Sequence, residues 1–254
     1  MSVALLLGLF LVVADAHAAR LEVCAFSFHG PAEIQVFKER LPAEDFDVID
    51  LSPYQLPVAT PTPPRPDGRA PAARWLFDLC RPDLRCDVVV YSAEFAGSFF
   101  GANGKALSLA DMEEASCQAR CDALLHHPRE VFLLGCNTLV TRAQDTRTPA
   151  QYLQVLLDHG FDRATAERVV GTRYGPLGPS FRESLRRIFM DVPRLYGFSS
   201  VAPAGEHTAP LLERYFRAKG DYRRYLEQGD RDSGRKRSCW PPPSTGPAWS
   251  RTPV

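Results

Sequence analysis

The sequence predicts an α/β fold, an open and mostly parallel sheet with helices on both faces. Three observations carry this. Short apolar runs recur at Leu21–Phe28 (LEVCAFSF), Phe46–Leu51 (FDVIDL), Asp87–Tyr91 (DVVVY) and Glu130–Leu134 (EVFLL). Segments with helical spacing lie between them. The third run is apolar on both faces, as a central parallel strand requires.

Pro31 opens the first helix, with Ile34, Phe37 and Leu41 at helical spacing. The β-α-β unit that results implies parallel pairing and a right-handed crossover. Pro53 to Pro71 holds seven prolines and reads as an irregular surface excursion. Trp75–Cys80 reads as a short helix. Ser108-Leu109-Ala110-Asp111 is a capping box that opens a helix to about Leu125. The second half is mainly helical. Thr148-Pro149-Ala150-Gln151 is another capping box, and Gly160 is placed to stop its helix. Ser180-Phe181-Arg182-Glu183 starts a further helix with Leu185, Ile188 and Phe189 on one face. Leu195–Ser199 is a candidate fifth strand. Thr208 caps a last helix, with Leu211, Leu212, Tyr215 and Phe216 expected inward.

The ends differ from the middle. Residues 4–13, ALLLGLFLVV, are apolar but too short for a bilayer span of about 20 residues. Ala16-His17-Ala18 fits the small-x-small cleavage rule, so residues 1–19 read as a secretory signal peptide. The expected location is secreted or periplasmic, with no integral membrane segment. Residues 229–254 hold Arg235-Lys236-Arg237 and Pro241-Pro242-Pro243 without apolar period, and read as a disordered tail. The domain therefore spans residues 20–228.

Thirty basic and 30 acidic side chains balance, which excludes a strongly basic nucleic-acid binder. Only four of the basic residues are lysine, a bias of composition rather than a binding device. There is no basic-aromatic stripe for nucleic acid and no Gly-x-Ser-x-Gly elbow. Gly97, Gly101 and Gly104 lack the Lys-Ser/Thr ending of a phosphate loop and read as a flexible loop near the site edge, with Phe99 and Phe100 as packing residues.

Seven cysteines in an exported chain suggest disulfides with one thiol left over. Cys80 and Cys86 bracket a tight loop and are placed to bridge. Cys117 and Cys121, four apart on a predicted helix, are near the upper limit for a bridge. Cys24 and Cys239 have no obvious partner. Cys136 at a strand end is the best candidate for the free thiol. Cys117 and Cys121 with His126 or His127 lack a second paired motif, so no metal and no other cofactor is expected. His126 and His127 precede the fourth strand and read as an exposed turn. His159 and His207 read as surface residues.

Open parallel sheets place sites at the carboxyl ends of their strands. The first strand ends in Ser27-Phe28-His29-Gly30, the third in Ser92-Ala93-Glu94, the fourth in Gly135-Cys136-Asn137. A histidine, a carboxylate and a thiol leave one edge, the components of a cysteine nucleophile with base and orienting acid.

The block from about residue 86 to 138 resembles the core of the caspase-like cysteine peptidases, which include caspases, gingipains, legumain and separase. The resemblance lies in an apolar strand with a polar turn, then about forty residues, then an apolar strand ending in Gly135-Cys136. It implies a three-layer sandwich, and Cys136 at the nucleophile position. The matching His position falls at about Glu94, and Phe95 sits where the family's Gly stands. A thiol of pKa about 8.5 needs a basic or cationic neighbour to ionise near neutral pH. A carboxylate in that place opposes ionisation. His29 is the one candidate for a relocated base. In the family's strand order the third strand lies between the first and fourth, which puts His29 roughly 10 Å from Cys136 with Glu94 between them. Three readings follow. The domain is a catalytically degenerate module that binds a protein or peptide ligand, or serves structurally. Alternatively it is an active cysteine hydrolase using Cys136, His29 and Glu94. In the third, it is an exported α/β domain of another role.

Overall fold

The computed structural model describes residues 19–52, 74–81, 83–101, 105–141, 143–144, 147–158, 163–174, 180–199, 202 and 208–228. Residues 1–18 of the signal segment, the proline excursion, the tail, Gly104, His159, Gly160, His207 and Cys239 lie outside these residues.

Five parallel strands form the central sheet. They are β1 (Leu21–Ser27), β2 (Phe46–Asp50), β3 (Val88–Ser92), β7 (Glu130–Leu134) and β8 (Arg194–Gly197), in the order β2-β1-β3-β7-β8. The expected boundaries hold within a residue or two. β3 is buried along its whole length, which explains its unbroken apolar run. Alternate side chains feed two cores. Val23, Ala25, Val88, Val90 and Phe132 face α1 (Ala32–Arg40), α8 (Ala209–Lys219) and α9 (Tyr222–Glu227). Cys24, Phe26, Val89, Tyr91 and Val131 face the opposite layer. That layer holds α2 (Arg74–Leu79), α3 (Leu109–Ser116), α4 (Asp122–Leu125), α5 (Pro149–Asp158), α6 (Arg163–Tyr174) and α7 (Phe181–Ile188). The result is a three-layer α/β sandwich. Among the described residues no helix is long and apolar enough to cross a membrane.

The capping boxes at Ser108 and Ser180 form as read, each with its side chain on the third residue's N–H and the reciprocal bond present. The Thr148 box also closes, through Gln151.

Several expectations are corrected. The helix from Ser108 ends at Ser116 rather than near Leu125. Gln118 is extended, a 3-10 turn follows over Ala119–Cys121, and α4 resumes at Asp122. The break lets Cys121 reach Cys80 in a disulfide, and the His126 ring bonds the freed Ser116 carbonyl at 2.9 Å. His126 is therefore buried, with Nδ1 3.3 Å from Asp191, rather than part of an exposed turn. The second disulfide is Cys24–Cys86, so the expected Cys80–Cys86 bridge does not form. Cys24 lies on β1 and Cys86 on the approach to the adjacent β3, and parallel pairing brings them together across 62 residues. Both disulfides suit an oxidising compartment.

Gly97 and Gly101 lie in a stretch that is strand rather than loop on either side of residues 102–104, which lie outside the described residues. This stretch forms a small antiparallel sheet of β4 (Glu94–Phe95), β5 (Ser98–Phe100) and β6 (Ala106–Ser108), with Phe95, Phe99 and Phe100 buried. Leu211 faces solvent instead of the core. α9 was not anticipated; its signals are Asp221, whose side chain caps it, and buried Tyr222 and Leu226 four apart.

Candidate functional site

The carboxyl ends of β1, β3 and β7 emerge side by side. The ladder continues one step beyond the strands, with the Phe28 N–H donating to the Ser92 carbonyl at 2.9 Å and the Ala93 N–H to Leu134 at 3.2 Å. His29, Glu94 and Cys136 are the next residue on each segment. The three expected residues therefore share one rim, in the expected lateral order.

Local chemistry shapes each segment. The Ser27 hydroxyl donates to the Gly30 carbonyl and accepts the Gly30 N–H at 3.2 Å, which closes the turn that presents His29. His29 is exposed. Its Nε2 accepts the Glu94 backbone N–H at 3.0 Å. A backbone N–H only donates, so this nitrogen offers its lone pair, and in the neutral ring the proton sits on Nδ1. Contact between His29 and Glu94 thus forms through the main chain. The two are separated by one strand spacing; His29 and Cys136 by two, roughly 10 Å between backbones.

Cys136 carries a free, half-buried thiol. Its Sγ accepts the Ala202 N–H at 3.4 Å. Asn137 follows with φ of 58°, left-handed backbone that asparagine adopts more readily than most residues. Thr138 then locks the turn. Its hydroxyl lies 3.1 Å from the Leu133 carbonyl and 3.2 Å from that of Gly135, and accepts the Phe198 N–H at 3.1 Å. The Leu139 N–H donates to the Phe198 carbonyl at 2.9 Å. Gly135 permits this close passage, since a Cβ there would lie 2.9 Å from the Ala93 carbonyl oxygen and from Phe95 Cβ.

The arrangement has a free thiol and an imidazole on one edge, but the imidazole's acceptor nitrogen is occupied by a main-chain donor. Of the cysteines and histidines near the fourth strand, Cys121 is consumed in a disulfide and His126 faces Ser116 and Asp191. Sequence reading missed Thr138 and Asn137 as the residues that shape the Cys136 turn. Their only signal was a strand stopped by Gly135.

No family model matches the chain, and no curated protein matches it. Among solved structures it is similar to a thioesterase, RedJ, from the prodiginine biosynthetic pathway of Streptomyces coelicolor. The identity is 19%, over 72% of this chain and 74% of that chain, with a TM-score of 0.27. A superposition that loose carries no functional argument.

Proposed function

We propose that this chain is an exported, caspase-like domain whose catalytic dyad is broken, and that its rim binds a protein or peptide ligand or serves structurally. One observation carries the reading: the lone pair of His29 Nε2 is taken by the Glu94 N–H, so the one rim imidazole among the described residues does not stand as base to Cys136. Glu94 occupies the place where the resemblance calls for histidine. The strand order supports the reading, with β3 between β1 and β7. Two disulfides and the cleavable leader read from the sequence support export.

The test is labelling of Cys136 by thiol-reactive peptide probes. The expected rate does not exceed that of an unactivated cysteine thiol, and His29→Ala leaves it unchanged. Fast labelling that His29→Ala abolishes would reject the reading in favour of an active hydrolase with Cys136 as nucleophile. That alternative requires His29 to turn from Glu94 toward Cys136 within hydrogen-bond or single-water reach.

A further inference from the structure

At the opposite edge of the sheet lies a polar cluster that the rim does not use. Glu130, the first residue of β7, is fully buried. Tyr215 donates to one of its carboxyl oxygens and Tyr222 to the other. Arg194, the first residue of β8, stands with Nε 3.7 Å from Glu130. The same guanidinium donates to the Tyr225 and Leu226 carbonyls at 3.3 and 3.4 Å, near the end of α9. Tyr196, also on β8, joins through hydroxyl contacts to Tyr225 at 3.1 Å and Tyr215 at 3.5 Å.

β8 is thus pinned at its start to buried charge and to α8 and α9. At its other end it meets the Cys136 turn. A Cβ on Gly197 would lie 2.5 Å from Thr138 Oγ1. Phe198 exchanges main-chain and hydroxyl bonds with Leu139 and Thr138. Further along the same segment, Ala202 donates to the thiol itself. β8 is only four residues long, about 13 Å at the rise of a parallel strand, so a shift at one end is carried to the other.

We propose that β8 is a strut through which the Glu130 cluster positions the Cys136 turn, with Arg194 and Tyr196 as positioning residues for the thiol. The inference rests on the reading of Cys136 as the functional thiol of the rim. Loss of the anchor frees β8 from α9 while leaving β1 and β3 in place. The Thr138 clamp and the Ala202 bond then open more often, and Cys136 meets solvent more often.

The test uses Arg194→Met, with Tyr196→Phe as a gentler variant that also serves if the first does not fold. Amide exchange is followed at Phe198 and Ala202, and at Cys24 and Val89 in the middle of the sheet. Expected is a loss of protection at Phe198 and Ala202 about tenfold greater than at Cys24 and Val89, since a local opening spares the central strands. Cys136 alkylation should rise about threefold or more over the parent, in step with the local opening. For Tyr196→Phe the same pattern is expected at about a third of that size. An equal fall at all these amides, meaning global destabilisation alone, overturns the proposal; so does unchanged alkylation in a folded variant. The parent's absolute alkylation rate tests the broken dyad, whereas the ratio of variant to parent tests the strut, so the two fail separately.

Discussion

Replacing Cys24 and Cys86 together by alanine should cost most of what one long-range crosslink supplies. The bridge closes 62 residues. Constraint of the unfolded chain by a loop of that length is worth about 4 kcal/mol at 25 °C. Both sulfurs are buried, Cys24 at 0% and Cys86 at 3% exposure, so their loss adds a cavity cost of roughly 1 kcal/mol. Against a typical domain stability of about 5–15 kcal/mol, that is a large fraction. The assay is urea unfolding of the double variant, with Cys80–Cys121 intact. With a slope of about 2.5 kcal/mol per M, the midpoint should fall by about 1.5–2 M. The two loops overlap between Cys80 and Cys86. Because that shared stretch is short beside either loop, removing the second bridge as well should cost about the sum of the separate removals. A loss below about 1 kcal/mol in the first double variant would refute the reasoning, because it would mean that the unfolded chain is not held by this bridge.

Two other predictions concern the clamp and the cluster. Gly197→Ala places a Cβ 2.5 Å from Thr138 Oγ1, and Thr138 is fixed by three partners. It should destabilise by about 1–3 kcal/mol in urea titration. Gly30→Ala, with nothing within 4 Å of its added Cβ, should stay within about 0.5 kcal/mol. Equal stability of the two variants would remove the clamp from the account. Burial raises the Glu130 carboxyl above its ordinary value of 4.5, against the hydroxyls of Tyr215 and Tyr222 and the charges of Arg194 and Lys219, which lower it. The folded state therefore binds this proton more tightly than the unfolded state. The resulting stabilisation is complete below pH 4.5 and is lost as pH rises through the elevated folded value. Glu130→Gln should flatten that part of the curve of urea midpoint against pH, and an unaltered curve would assign the dependence elsewhere.

Much of the architecture was legible because local rules wrote it. The run DVVVY needs a site buried on both faces, and β3 has one. The Ser-x-x-acid boxes at Ser108 and Ser180 fix helix starts within four residues of sequence. Chirality of the β-α-β unit then sets how β1 and β2 lie together, and a parallel sheet sends His29, Glu94 and Cys136 to one edge. The small sheet from Glu94 to Ser108 escaped notice because strands of two or three residues are too short to show a period. The helix break at Gln118 escaped because the local pattern continues through it, and the Cys80–Cys121 disulfide that the break accommodates leaves no local signal.

By itself, the sequence determined which segments are the strands of the central sheet, that they run parallel, and which residues leave its carboxyl edge, since each depends on neighbours a few positions apart. Tertiary structure decided the cysteine pairs, the burial of His126 and the union of Glu130 with Tyr215 and Tyr222. The phenols lie 85 and 92 residues from Glu130. Contacts that distant leave no periodic trace in the chain, because they are selected by the closing of layers against a sheet already formed. Which nitrogen of His29 is occupied belongs to that second class, for it follows from where β3 ends beside β1.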